Sequence, residues 1–336
     1  MMPIARRALG LGLLSITPIL AAGHVWAQAQ RTDPLPSWRD GASRQSILDF
    51  LAAVTTEGSP DFVPVPQRIA VFDNDGTLWC EIPTAQLMFV LDRVKALAPH
   101  YPAWRTTQPF KAALEGDTAT LAAAGTHGLA ELALATHANT TPEQFNVIAT
   151  EWLATARHPK FQRSYTELTY QPMLELLRLL ASSGFRNYIV SGGGVEFIRA
   201  FSDSVYDIPP EQVIGSTIRT EYRFPHGGKP ELFRVAVMDF IDDGPGKPVA
   251  IGKFIGRRPI AAFGNSDGDL EMLQYVTSGP GRRFGLLVHH DDAEREVAYD
   301  RQSPFGKLDR GLDLAGPSRW TVASMRQDWN RMFPVQ

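Results

Sequence analysis

The sequence predicts an α/β fold: a parallel sheet with helices on both faces and a helical insertion after the first strand. Three observations carry this. Short apolar runs bounded by turn formers alternate with segments of helical period. The stretch 81–170 is helical in pattern throughout. Several of the runs end in acidic or glycine-rich turns, the place where open α/β sheets bind ligands. At 336 residues and 44% hydrophobic, the chain is ample for a substantial core.

Residues 1–29 read as a secretory signal outside the fold. Arg6 and Arg7 precede an apolar run at 8–22, and Ala27-Gln28-Ala29 resembles a cleavage site. The run is shorter than the ~20 residues of a membrane span and is broken at Thr17-Pro18, so no stable membrane insertion is expected after cleavage. The arginine pair is similar to a twin-arginine signal and a Sec signal also fits; either implies an exported, periplasmic protein. Cys80 is the only cysteine, so an exported chain has no internal disulfide and relies on core burial. A formal charge of −3 gives no electrostatic footprint for nucleic acid.

Along the chain, residues 46–54 have helical spacing, and Pro60, Pro64 and Pro66 keep the approach to the first strand, 69–72, irregular. Inside the insertion, 86–97, 110–124, 128–136 and 143–156 each place apolar residues at i, i+3 and i+4. Thr141-Pro142-Glu143 marks a helix start, with Pro at the first helical position. A helix at 172–182, stopped by Gly184, leads to a strand at 187–190. A third strand is expected at 213–218, and 220–224 with 231–235 flank a hairpin turn in which His226 is solvated. A short helix begins at Gly246-Lys247-Pro248 and runs towards Ile255, strands follow at 260–263 and 284–288, and 320–333 is expected to close the chain as an amphipathic helix. His289-His290-Asp291-Asp292 is read as the acidic start of a polar helix and not as a metal cluster, because adjacent residues point apart.

The chemistry gathers where strands run out. The first strand ends in Asp73-Asn74-Asp75-Gly76-Thr77. Residues two apart on an extended chain point the same way, and two neighbouring carboxylates need a shared proton or a hard cation such as Mg²⁺. The strand at 187–190 ends in Ser191-Gly192-Gly193-Gly194, a hydroxyl and bare N–H groups suited to an anion. The strand at 260–263 ends in Gly264-Asn265-Ser266-Asp267-Gly268-Asp269. Cys80 lies close to the acids, but no His near it in sequence offers a base, and it reads as packing.

These segments, in this order, resemble the motifs of the haloacid dehalogenase superfamily over about residues 66–300. Asp75 resembles the phosphatase branch, of phosphoserine-phosphatase type, because the dehalogenases lack an aspartate there. The resemblance implies a Rossmann-like core at 30–80 and 171–336, a helical cap at 81–170, and neighbouring strands for Asp73 and Asp269. It implies Asp73 as nucleophile, Asp75 as general acid/base, and Gly76, Thr77, Ser191, Gly192 and Gly193 around the phosphate. Lys247 and Lys253 both fit the charge-neutralising lysine of the third motif. Mg²⁺ would be held by Asp73, Asp75 and the loop carrying Asn265, Asp267 and Asp269. The family often has Asp where Asn265 stands, so Asn265→Asp is expected to tighten Mg²⁺ binding. The implied activity is Mg²⁺-dependent hydrolysis of a small phosphorylated metabolite. A phosphotransferase and a non-catalytic domain binding a phosphorylated ligand are the alternatives, and Asp75 disfavours dehalogenation.

Overall fold

In the computed structural model, which describes residues 33–335, the apolar run Ile69–Phe72 becomes β1, buried along its whole length. The signal expected at 1–29 lies outside the described residues. The strands that follow are β2 (Arg186–Gly194), β3 (Val213–Arg223), β4 (Glu231–Phe240), β5 (Ala261–Gly264), β6 (Phe284–His289) and β7 (Thr321–Ser324). Among the described residues they form one sheet in the order β4-β3-β2-β1-β5-β6-β7, with β1 at its centre. Only the β3–β4 pair is antiparallel. From β1 the chain goes first to β2 on one side and later to β5 on the other, so the strand order reverses beside β1, where such sheets open a ligand crevice. Phe72 pairs with Ile189 and with Phe263, which brings the chain beyond Asp73, Val190 and Gly264 out at one end of the sheet.

Both faces of the sheet are covered, and successive residues of β1 divide between them. Ala70 and Phe72 enter one apolar cluster with Leu51 of α1 (Ala42–Thr55). Val71 enters the other. The region 81–170 carries α2 (Ala85–Leu97), α3 (Phe110–Glu115), α4 (Thr118–His137) and α5 (Pro142–Thr155). Thr141 and Gln144 cap α5 reciprocally with Pro142 at its start, as the sequence suggests. Part of this region packs on itself around Val94, Trp104 and Phe110. Phe89 and Phe145 instead join the main core, and the Phe89 ring lies 5.1 Å from that of Phe197. The turn between α4 and α5 also pairs with the outer strand β4: Asn139 N donates to Arg234 O, and Arg234 N to Thr140 O. That contact covers part of a sheet edge that would otherwise stand open.

The remaining helices are α6 (Gln171–Ser182), α7 (Val195–Arg199), α8 (Ser202–Tyr206), α9 (Gly246–Ala250), α10 (Leu270–Thr277), α11 (Arg310–Ser318) and α12 (Met325–Asp328). α9 continues into a π-helical turn at Ile251–Ile255. The structure corrects four expectations. The stretch 320–333 is not one helix: Thr321–Ser324 pairs in parallel with β6, and only the short α12 follows. The third strand and the first arm of the hairpin are one strand, β3. The helix expected at 110–124 breaks at Gly116, whose φ of 72° ends α3, and α4 starts afresh on the Asp117 cap. No helix follows Asp292; its carboxylate accepts from Glu294 N and Arg295 N in a turn, while Asp291 holds Arg326 N at the start of α12. Among the described residues no helix is long and apolar enough to cross a membrane.

Candidate active site

Asp73 stands at the end of β1 and is buried. Its Oδ1 accepts a hydrogen bond of 2.7 Å from Lys247 Nζ, which also donates to Asp269 Oδ1 at 2.6 Å and to Val190 O at 2.9 Å. Lys247 reaches this point from the first turn of α9, and 2% of its side chain is exposed. Lys253 lies exposed beside the Phe254 ring, so Lys247 is the lysine brought to the acids. Burial alone would lower Lys247, but Asp269 and Asp73 outweigh it and hold the ammonium charged. Burial pushes the Asp73 carboxyl well above its ordinary range, and Lys247 offsets only part of that rise. One cation thereby ties the end of β1, the body of β2 and the loop that follows β5.

Asp75 is turned to a different partner. Its Oδ1 accepts from the Trp79 indole at 2.9 Å, and burial raises its carboxyl above the ordinary range against that bond. A carboxyl raised in this way keeps its proton to a higher pH, which a general acid needs. Gly76 follows with φ of 76°, a left-handed turn that glycine adopts without strain. A Cβ there would fall 2.0 Å from Asn265 Nδ2, so the position is closed to side chains twice over.

The turn uses several groups expected at a phosphate. Gly76 N donates to Trp79 O, Thr77 N to Asn74 O, and the Thr77 hydroxyl to Asn265 Oδ1. On β2 the Ser191 hydroxyl accepts from Gly193 N, and Gly194 N donates to Gln86. β2 continues through these glycines, with a register irregularity between Ser191 and Gly194, before the five-residue α7. The Asp267 carboxylate is taken up elsewhere: it accepts from Asp309 N, Arg310 N and Gly311 N at the start of α11. Asp269 is fully occupied, with Oδ1 on Lys247 and Oδ2 accepting from Asn265 N and Ser266 N.

Among the described residues no three His, Cys, Asp or Glu side chains converge as a metal site. The donors that fit a hard cation here are therefore mixed: the Asp73 carboxylate, the Asp75 carbonyl and the Asn265 amide oxygen. Asn265 is held by a residue that the sequence did not flag. Its Nδ2 donates to Glu81 Oε2 at 3.0 Å, and Tyr299 OH donates to the same oxygen at 2.6 Å. Burial raises the Glu81 carboxyl well above its usual range. The amide at 265 supplies Glu81 with an N–H donor, which an aspartate lacks. The sequence-based expectation for Asn265→Asp is revised accordingly. In chelator, the variant is expected to lose about 1–3 kcal/mol, the cost of an unmade buried bond, and to show no gain in Mg²⁺ activation. Adding Glu81→Gln supplies a donor, restores the melting temperature and then tightens Mg²⁺ activation. Melting curves and Mg²⁺ titrations of both proteins check it; a single variant that melts like wild type would remove Glu81 as the reason for Asn265.

Other supports were invisible in the sequence because their partners are far along the chain. His290 is buried, with Nε2 at 2.8 Å from Gly76 O and Nδ1 at 3.3 Å from Glu296 Oε2. Cys80 Sγ donates to Glu296 Oε1 at 2.9 Å and lies 3.5 Å from His158 Nε2. Burial, and then the Glu296 charge, push its thiol up, which suits a packed and unreactive cysteine. Asp242, fully buried near Lys247, is pushed up to about 7 by burial.

The site is thus a buried acid pair, Asp73 and Asp269, held by one lysine at the switch point of a parallel sheet. The chain matches the haloacid dehalogenase-like hydrolase family over residues 70–274 and belongs to it. No curated protein matches significantly. Among solved structures, a protein of unknown function from Anaerococcus prevotii is 16% identical, with 79% of this chain and 95% of that one covered and a TM-score of 0.50, a likeness of fold alone. A Bordetella pertussis protein of unknown function is 14% identical over 76% of this chain and 98% of that one, with a TM-score of 0.48. A phosphoserine phosphohydrolase-like protein from Francisella tularensis is 16% identical over 74% and 99%, with a TM-score of 0.36.

Proposed function

We propose that this protein is a Mg²⁺-dependent phosphatase that hydrolyses a small phosphomonoester through an aspartyl-phosphate on Asp73. The observation that carries the reading is the Lys247 bridge, which places a fixed positive charge on the candidate nucleophile. An Asp73 oxygen attacks phosphorus and the ester P–O bond breaks. The departing alkoxide takes the proton of Asp75, whose carboxyl is raised by burial and aimed by Trp79. Asp75 then takes a proton from water, the water oxygen attacks phosphorus, the Asp73–phosphorus bond breaks, and phosphate leaves. Lys247 offsets the phosphoryl charge throughout, and Ser191 lies at the neighbouring strand end. Mg²⁺ bound by Asp73, the Asp75 carbonyl and Asn265 would shield phosphoryl oxygens from the attacking carboxylate. The signal-like segment 1–29 supports export to the periplasm.

Release of phosphate from an aryl phosphate, with Mg²⁺ and with chelator, tests the reading directly; no turnover would favour a domain that only binds a phosphorylated ligand. Asp75→Ala sharpens the test. It should slow alkyl phosphate hydrolysis by about 10²–10⁴-fold, the usual worth of a general acid/base. Aryl esters, whose leaving groups need little protonation, should lose less. Equal losses on both esters, with chemistry rate-limiting, would remove Asp75 from the acid role.

A further inference from the structure

Gln86 sits in the first turn of α2, where the region 81–170 meets β2. Its side-chain amide lies on the glycine loop. Oε1 accepts from Gly194 N at 2.7 Å, while Nε2 is buried and has no hydrogen-bond partner. The contact depends on the loop having no side chain: a Cβ at Gly193 would fall 2.2 Å from Nε2. The other loop donor with a partner, Gly193 N, is spent on the Ser191 hydroxyl. The amide thus takes up a backbone N–H of the loop and presents its own N–H₂ above Gly193. A buried amide donor without an acceptor is costly, and native structures keep few of them.

Among the described residues no group of the chain meets this N–H₂, so a ligand oxygen at the end of β2 would complete it. Four residues earlier on the same strand, Val190 O binds the Lys247 ammonium that also holds Asp73. We propose that Gln86 Nε2 donates a hydrogen bond to a phosphoryl oxygen of the bound substrate, so that α2 contributes directly to phosphate recognition. The proposal rests on the phosphatase reading above. It adds a binding group carried by the inserted helices to those at the strand ends.

The test uses the full chain with Mg²⁺ and inorganic phosphate as the probe, read by calorimetry and as a competitive inhibitor of aryl phosphate hydrolysis. Gln86→Glu keeps the acceptor for Gly194 N and replaces the donor with a carboxyl; Gln86→Met removes both at similar volume. Both variants are expected to bind phosphate about tenfold to a hundredfold more weakly, the range for a lost bond to a charged acceptor, with KM raised more than kcat is lowered. Gln86→Glu should melt like wild type without phosphate. Unchanged phosphate binding in both variants overturns the proposal, and so does a KM effect without a phosphate effect, because the acceptor would then lie in the leaving group. Wild-type protein that neither turns over esters nor binds phosphate would fail the phosphatase reading itself, and the proposal with it. Turnover and phosphate binding that match in wild type and both variants would fail the proposal alone.

Discussion

Asp73→Asn is expected to abolish phosphate release while leaving the protein folded. The amide has the size of the carboxyl and can still accept from Lys247, which keeps Asp269 and Val190 O as partners. Burial already pushes the Asp73 carboxyl towards its neutral form, so a neutral replacement costs the fold little. What it loses is the attacking oxygen. Deleting a nucleophile has cost roughly 10⁶-fold in kcat where the rest of a site stayed intact, and a loss of that order would fall below detection here. The measurement is steady-state phosphate release beside a melting curve. Near-wild-type release would remove Asp73 from the nucleophile role, and a collapsed melting temperature would show its charge to be structural.

Much of this site was legible because chemistry falls where a local pattern ends. An apolar run that stops at Asp73-Asn74-Asp75-Gly76 announces both a buried strand and what it delivers, and the loop of Ser191 and that of Asn265 follow the same grammar. The choice between Lys247 and Lys253 was not local. Both lie near one short helix, and only the packing of α9 against β2 and α10 buries the first and leaves the second exposed. Glu81 was missed for a related reason. Its meaning depends on Asn265 and Tyr299, 184 and 218 residues further on, and on burial that no composition reports. Asp267 lies in the acidic loop, yet the backbone N–H groups at the start of α11 claim its carboxylate. β7 failed as a strand because Thr321–Ser324 is too short to show a period, and the edge of β6 that it pairs with is not written in its own residues.

Lys247→Met is expected to damage both activity and stability, and the two losses can be separated. The ammonium is buried between two carboxylates at 2.7 and 2.6 Å, and methionine fills similar space without the charge. Removing one member of a buried ionic group typically costs about 3–5 kcal/mol, because the charge left behind has neither water nor a partner. Turnover should fall by roughly 10²–10³-fold or more, as for loss of a fixed group facing transition-state charge. The pH dependence identifies the cause. Burial already raises Asp73 in the wild type, and without Lys247 to offset it the folded variant takes that proton at a higher pH than the folded wild type does. Between those two pH values the folded variant binds more protons than the folded wild type, and its stability falls relative to wild type as pH rises. The melting temperature of Lys247→Met should therefore lie closest to wild type at pH 5 and furthest below it at pH 8, and Asp269→Asn added to it should recover part of the gap. A gap that is the same at both pH values, and untouched by Asp269→Asn, would mean that packing around the lysine stem carries the cost and that the carboxylates do not depend on it.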